Sequence, residues 1–144
     1  MAIKLKIEGF DDLLKEIETA GGSITKAVDS ATRESAQIMQ DELKAQMQSA
    51  GVDSGLINAM PPFEIETSGN SFAAKVGYRK GSYNPENPSD GYKVVFLNYG
   101  TPHRQKYGKV VARGFIKKAK RSATPKIKKA QKAAFEKILG RLKK

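Results

Sequence analysis

A long stripe of apolar residues in the first half of the chain constrains the fold more than any other feature. Between Ser23 and Ser49 apolar side chains recur at intervals of three and four residues, with an interruption at Ser35. This spacing places them on one face of an amphipathic α-helix. Ser23 is a suitable N-cap, and Gly51 is a suitable residue to follow the end. We therefore predict one long helix here. Its apolar positions are Ile24, Ala27, Val28, Ala31, Ile38, Met39, Leu43 and Met47.

The middle of the chain changes from helical spacing to alternation. Pro61-Pro62 prevents any helix from continuing past this point. Residues 63–67 and 72–76 then alternate apolar and polar side chains on either side of a short polar turn, which predicts a β-hairpin. Residues 2–7 alternate in the same way, which predicts a short half-buried strand. Residues 92–99 carry apolar groups on both faces, which predicts a central strand covered on both sides.

The remaining segments complete a mixed architecture. Residues 10–19 predict a short amphipathic helix, and 79–91 and 101–112 predict two exposed, mobile polar loops. After a short helix at 115–119, Thr124-Pro125 predicts the N-cap and first residue of a final helix. We expect a single α+β domain over residues 1–144, in which a small antiparallel β-sheet packs against the long helix of the N-terminal half and a C-terminal helix.

Charge divides the chain into two parts. Residues 1–100 hold ten Lys and Arg against fourteen Asp and Glu, whereas residues 101–144 hold sixteen against the single acid Glu136. A strongly basic last third favours a polyanionic or acidic partner, but a solvated basic helix face fits equally well. Lys predominates there, which favours phosphate contact without sequence readout. The candidate contacts are Lys117, Lys118, Lys120, Arg121, Lys126, Lys129 and Lys132.

Motifs of catalysis, cofactor binding and membrane insertion are missing from the sequence. There is no cysteine, no long apolar run, no phosphate-binding loop and no nucleophile elbow. His103 is the single histidine and stands in a basic loop, and Glu64 and Glu66 have the spacing of one exposed strand face. We therefore expect no enzymatic activity, cofactor, metal, small-molecule substrate or membrane contact, and synthesis in the cytoplasm.

Four short motifs, in this order, resemble the minor tail-component family of long-tailed phages and prophages, the tail-completion or head–tail joining proteins. They are the opening around Gly9 and Phe10, the turn at Asp53-Ser-Gly-Leu, the run ending Asn98-Tyr-Gly-Thr, and Arg113-Gly-Phe. The chain departs from the family pattern at Asn98, where the family has an acid, at Gly114, where it has proline, and at Ala59. The motif residues are Gly9, Phe10, Gly55, Leu56, Gly100, Thr101, Arg113 and Phe115.

The resemblance implies a structural virion protein that forms a ring, usually six-fold, at the neck end of the tail. Its partners would be copies of itself and neighbouring head–tail connector or tail-tube proteins, with non-specific contact to packaged DNA also open. We expect the two polar loops to make the assembly contacts, and deletion of residues 82–89 to abolish assembly without unfolding the monomer. The alternative is a free-standing, non-specific DNA-binding protein. The expected loop contacts are Tyr83, Asn84, Pro85, His103, Arg104 and Tyr107, whereas Tyr92 and Tyr99 are expected to be ordinary strand residues.

Overall fold

The computed structural model of the chain describes residues 2–68, 71–79, 89–104 and 108–143. Within these ranges the chain forms five helices and five strands. In chain order they are β1 (Ala2–Leu5), α1 (Asp11–Thr19), α2 (Ile24–Ser49), α3 (Ser54–Asn58), β2 (Glu64–Ser68), β3 (Ser71–Gly77), α4 (Asp90–Tyr99), β4 (Thr101–Arg104), β5 (Gly108–Val110) and α5 (Phe115–Leu142).

A three-stranded antiparallel sheet has the order β1-β3-β2. The predicted hairpin is confirmed as β2 and β3, with Ile65 opposite Ala74, and Ile3 of β1 lies opposite Val76. These apolar residues face the core, whereas the opposite face is charged. On that face Lys75 and Glu66 form an ion pair at 2.6 Å. The sheet therefore has one buried and one solvent-facing side, as its alternating sequence predicts.

The long helices α2 and α5 pack against each other in antiparallel orientation. Hydrogen bonds join Gln131 to Ser35 and Lys126 to Glu42, so residue numbers increase along α5 in the direction in which they decrease along α2. In both helices buried residues recur every four positions, which is the spacing of i±4n ridges. The α+β fold predicted from the sequence is confirmed, since α2 and α5 both pack with the small sheet in the core. The four-residue series are 27, 31, 35, 39, 43 and 47 in α2, and 115, 119, 123, 127, 131, 135 and 139 in α5.

The boundaries of α2 follow from local sequence chemistry. The side chain of Ser23 accepts a hydrogen bond from the backbone N–H of Lys26 at 3.3 Å, which confirms the predicted N-cap. At the other end Gly51 has φ of 74°, and the N–H of Val52 donates to the carbonyl of Met47. This is a Schellman motif, in which glycine adopts the left-handed backbone conformation at the position after the cap.

A polar layer separates two apolar clusters between α2 and α5. One cluster joins the sheet, α2 and the first half of α5, and the other joins α1 with Ala27, Ala31 and Phe135. Between them the buried amide of Gln131 donates to Ser35 Oγ at 2.9 Å, and Ser35 donates to the carbonyl of Ala31. The residue that interrupts the apolar stripe in the sequence is therefore buried and hydrogen-bonded.

The strand predicted over residues 92–99 is wrong, because Asp90–Tyr99 forms helix α4. Its buried residues are Gly91, Val94 and Asn98, spaced by three and four. The run is rich in β-branched and aromatic side chains and apolar on all sides, so alternation and helical spacing both fit it. Ser89 precedes the helix in extended conformation, and Asp90 supplies the acid of the first turn.

Two further predictions about the second half require correction. The polar loop predicted over 101–112 contains the antiparallel pair β4 and β5, in which Thr101 lies opposite Val110. The predicted C-terminal helices are one continuous helix, with Pro125 in its interior rather than at its start. Ala123 and Ile127 are buried on either side of exposed Pro125, so continuous packing on α2 offsets its missing hydrogen bond.

Candidate functional site: the motif junction and the basic face of α5

Two of the motif segments meet through the side chain of Asn98. This residue is buried at the end of α4, and its Oδ1 accepts a hydrogen bond from the backbone N–H of Ile116 at 2.9 Å. The N–H groups of Arg113 and Gly114 donate to the carbonyls of Leu97 and Asn98. Free N–H groups of a helix N-terminus require such acceptors, so the run ending in Gly100 caps α5.

A third motif segment is tied to the same region. The Tyr78 hydroxyl donates to the carbonyl of Leu56 at 2.6 Å, next to the turn that contains Gly55. Burial, with a smaller contribution from Asp90, raises the pKa of Tyr78 to about 12. Arg113 donates through Nη1 to the carbonyl of Ala50, the C-cap of α2, at 3.3 Å. We call these contacts among Ala50–Leu56, Leu97–Gly100 and Arg113–Ile116 the motif junction.

An open groove of about 590 Å³ lies beside the motif junction. One wall is the turn and short helix α3, with Asp53, Gly55 and Leu56, and the other is α4, with Phe96 and Leu97. The start of α4 packs closely against Arg79, since a Cβ on Gly91 would lie 2.6 Å from the Arg79 carbonyl oxygen. The lining of the groove is largely apolar and also contains charged residues. The charged residues are Asp53, Asp90 and Lys93.

The first motif lies apart from the other three. Phe10 packs edge-on against Phe135 of α5, with ring centroids 5.4 Å apart. Gly9 has φ of 86°, which glycine adopts at least cost, and it precedes α1. Phe10 therefore anchors α1 to the second apolar cluster, and neither it nor the preceding Gly9 belongs to the motif junction.

Exposed apolar side chains flank the β4–β5 hairpin. Tyr99 is 67% exposed and Val111 is 73% exposed, and they are the large apolar residues that stand out in solvent among those described. They precede and follow a hairpin whose base is the Thr101–Val110 pair. Tyr99 is thus an exposed helix residue, and its prediction as an ordinary strand residue is wrong.

The predicted assembly residues are only partly described. Tyr83, Asn84, Pro85 and Tyr107 lie outside the described residues. The backbones of His103 and Arg104 form part of β4. The role of these six residues in assembly stays a prediction.

The predicted cationic contacts are all exposed on α5. Lys126 donates to Glu42 at 3.0 Å, and Lys132 lies 4.0 Å from Glu136. The hydrogen bond from Lys126, with weaker ones from Ser122 and Gln46, lowers the pKa of Glu42 below its usual 4.5. The other five predicted contacts have no ion-pair partner within the described parts of the chain. These five are Lys117, Lys118, Lys120, Arg121 and Lys129.

Several residues of the site are absent from the sequence-based prediction. Asn98 enters there only as a departure from the family pattern, and Tyr78 is not among the predicted site residues, although each makes a buried hydrogen bond to a distant segment. Lys137 and Arg141 also lie exposed on α5. They lie four residues apart and eight and twelve residues after Lys129, and this spacing in multiples of four is the signal that identifies them.

Comparison of the chain with family models, curated proteins and solved structures gives no match. Over the described residues, no cluster of three or more His, Cys, Asp or Glu side chains is placed to hold a metal ion. No helix in the same ranges combines the length and hydropathy needed to cross a membrane.

Proposed function

We propose that the chain is a structural component of a tailed-phage particle, a tail-completion or head–tail joining protein that assembles as a ring at the neck end of the tail. The observation that carries the proposal is the motif junction. Two segments that resemble the minor tail-component family are joined at the N-terminus of α5 by the hydrogen bond between Asn98 and Ile116. The third, around Gly55, shares a groove with Leu97, and it follows Ala50, whose carbonyl accepts a hydrogen bond from Arg113.

The junction supports the resemblance because it gives the motif residues a shared structural purpose. Gly100 has φ of 77° at the end of α4 and turns the chain into β4. Phe115 is fully buried at the start of α5, and Arg113 reaches the end of α2. These residues fix the position of the β4–β5 hairpin relative to the groove beside α3 and α4. An assembly contact that repeats from copy to copy requires such a fixed geometry.

The surface around the hairpin supports assembly into a ring. A ring needs two different patches on one chain that fit each other under rotation. Tyr99 and Val111 form an exposed apolar patch, and the groove beside α3 and α4 is lined by Leu56, Phe96 and Leu97. We assign the patch to contact the groove of a neighbouring copy. Aromatic and apolar anchors in pockets are the usual centre of such interfaces.

The test uses the phage or prophage that carries the gene. Deletion of the gene should give DNA-filled heads and separate tails in electron micrographs, and wild-type protein from a plasmid should restore joined particles. The double variant Tyr99→Ser/Val111→Ser should fold but fail to restore them. Ala45→Ser/Ala133→Ser, which changes two exposed apolar residues elsewhere, should restore them fully.

Joined, infective particles from the deletion strain would overturn the proposed function. Restoration by the Tyr99→Ser/Val111→Ser variant at the wild-type level would overturn the assigned contact alone.

A further inference from the structure

The three-stranded sheet ends in an edge strand on each side. β1 and β2 flank β3, and no segment within the described ranges pairs with the outer edge of either strand. An edge strand carries a row of backbone N–H and C=O groups that can pair with a strand of another chain. Two such edges on one chain allow copies to join side by side, with the sheet continuing from one copy into the next.

The two edges carry opposite charge on the solvent-facing side of the sheet. β1 places Lys4 on that side, and Lys6 follows it in the same alternation. β2 places Glu64 and Glu66 there. The side chains of Lys4, Glu64 and Glu66 are each half-exposed. One edge is therefore cationic and the other anionic.

These charges determine which edges can meet. A two-fold contact of β1 with β1 would bring the lysines of two copies together, and a two-fold contact of β2 with β2 would bring the glutamates together. Like charges on neighbouring strands are destabilising, whereas opposite charges stabilise the pairing. Only the contact of β1 with β2 places lysine beside glutamate. That contact joins two different patches of one chain, which is the kind of contact that builds a ring rather than a two-fold dimer.

The strand directions and the register are compatible with this contact. β1 and β2 both run antiparallel to β3, so they run parallel to each other. A neighbour related by rotation about an axis along the strands therefore presents its β1 parallel to β2. Lys4 and Glu64 both lie opposite Lys75 of β3, so extending this row across the contact places Lys4 of the neighbouring copy beside Glu64. In the same register Lys6 of the neighbouring copy lies beside Glu66.

The core-facing side of the two edges is also complementary. Leu5 of β1 and Ile65 of β2 are only partly buried in the single copy. In the register that places Lys4 beside Glu64, these two apolar side chains lie next to each other and cover one another further. A shift of one residue would place charged side chains beside apolar ones, so both faces of the sheet specify the same register.

The ion pairs that these acids make within the chain leave room for the contact. Glu66 lies 2.6 Å from Lys75 and 3.7 Å from Lys4, and Glu64 lies 2.6 Å from Arg79. Such exposed pairs contribute little to stability, so exchanging or sharing them costs little. A carboxylate accepts several hydrogen bonds, so each glutamate can keep its present partner and accept a lysine from the neighbouring copy.

We propose that β1 of one copy pairs in parallel with β2 of the next copy, so that one sheet runs continuously between copies of this chain. The contact is separate from the one assigned to Tyr99 and Val111. It does not rest on the proposed neck function, because it concerns self-association of the chain alone.

The first test measures self-association of the full-length chain by sedimentation velocity at rising protein concentration in low salt. Lys4→Glu/Lys6→Glu makes both edges acidic, and Glu64→Lys/Glu66→Lys makes both edges basic. Each double variant should self-associate at least about tenfold more weakly than wild type, because like charges then meet. An equal mixture of the two should associate again, and the quadruple variant, in which the charges of the edges are exchanged, should associate as wild type does. Circular dichroism confirms that each variant is folded.

The matched control is Lys15→Glu/Lys26→Glu, which makes the same charge change at exposed positions outside the sheet. It should self-associate within about threefold of wild type, because its positions are far from both edges in the proposed contact. A wild-type chain that stays monomeric throughout would overturn the proposal. A mixture and a quadruple variant that associate no better than the double variants would overturn it as well, since the charges would then not act as pairs.

The second test measures the geometry by disulfide cross-linking, since the chain has no cysteine of its own. Within one copy β3 separates positions 4 and 64 by about 10 Å, which is beyond the reach of a disulfide. On oxidation Lys4→Cys/Glu64→Cys should give a ladder of covalent oligomers larger than dimers, whereas either single variant gives dimers at most. Dimers from a single variant at the same yield, with no ladder from the double variant, would overturn the proposal. A monomeric wild type together with unjoined tails in the gene-deletion strain would reject the sheet contact and leave the proposed function standing.

Discussion

Asn98 joins α4 to α5 through one buried amide oxygen. Its Oδ1 accepts the N–H of Ile116, a donor that has no partner within the first turn of α5. Asn98→Ala leaves that N–H without its acceptor, and we expect the free energy of unfolding to fall by about 1–3 kcal/mol. Urea denaturation followed by circular dichroism measures this as a lower midpoint with an unchanged slope.

The control for this change is Asn98→Asp. A carboxylate keeps the acceptor and lies at the positive end of the α5 dipole, so the loss should be smaller than with alanine. An alanine variant as stable as wild type would show that the Asn98 amide is not the cap of α5.

Glu42 gives the molecule a pH-dependent contact between α2 and α5. Its carboxyl pKa is lowered below 4.5, chiefly by the hydrogen bond from Lys126. The folded state therefore binds fewer protons than the unfolded state near pH 4, and this contribution to stability is present above pH 4.5 and lost as pH falls through the folded pKa. Glu42→Gln should lower stability by about 0.5–1 kcal/mol at pH 7.

Thermal unfolding of wild type and Glu42→Gln between pH 3 and 7 tests this. The two curves should differ at neutral pH and converge in acid. A difference that is as large at pH 3 as at pH 7 would assign the loss to packing rather than to the charge of Glu42. Lys44→Gln, a neighbouring cation with no ion pair among the described residues, serves as the control with little effect at any pH.

For single residues, the sequence predicts the contacts that form between residues close together in the chain. The cap at Ser23 and the glycine at Gly51 follow from residues two to five positions away. The partners of Asn98 and Tyr78 lie 18 and 22 residues away, and no local pattern specifies them. Their hydrogen bonds emerge only once α4 packs beside α5 and the Leu56 turn.

Among the elements, α2 and α5 are joined by a buried polar contact between Ser35 and Gln131. Ser35→Ala leaves the buried amide of Gln131 without an acceptor and should cost about 1–3 kcal/mol. The double variant Ser35→Ala/Gln131→Leu removes both partners and should recover part of this loss, because an apolar pair has no unsatisfied group.

A double-mutant cycle measured by urea unfolding gives the coupling energy. Additive losses from the two single changes would mean that the buried bond between Ser35 and Gln131 contributes nothing. If the polar layer fixes register, the double variant should also show broader amide signals in NMR spectra than wild type, despite similar stability.

The helices α4 and α5 mark where element prediction fails. Residues 90–99 carry apolar side chains on every side, so periodicity alone does not separate a strand from a helix. At Pro125 the local rule of a helix start competes with tertiary packing of Ala123 and Ile127 on α2. The stripes of α2 and the alternation of β2 and β3 have no such competitor, and their prediction is confirmed.

For the whole molecule, charge is segregated rather than balanced. A net charge of +11 is concentrated in the last third, while the body is mildly acidic. The uneven distribution of charge can be predicted from the sequence, and so can the α+β class. The first depends on the summed charge of many residues, and the second on the periodicity of many apolar residues. The exposure of the basic residues along one continuous helix is not predictable in this way, since it depends on Pro125 being accommodated in the interior of α5.

Like charges four residues apart on α5, as in the pairs Lys117–Arg121 and Lys137–Arg141, should make stability rise with salt. Repulsion between cations about 6 Å apart is barely screened at 10 mM NaCl, where the Debye length is about 30 Å, and strongly screened at 300 mM. We expect the melting temperature to rise by about 2–4 °C, equivalent to roughly 1 kcal/mol.

Lys137→Glu replaces a repulsive pair with Arg141 by an attractive one, so it should raise stability at low salt and reduce the salt response. Lys15→Glu, on α1, makes the same charge change away from α5 and should leave most of that response. A wild-type melting temperature that falls with NaCl, or an equal salt response in all three proteins, would mean that repulsion between the like charges of α5 does not dominate the electrostatics of the fold.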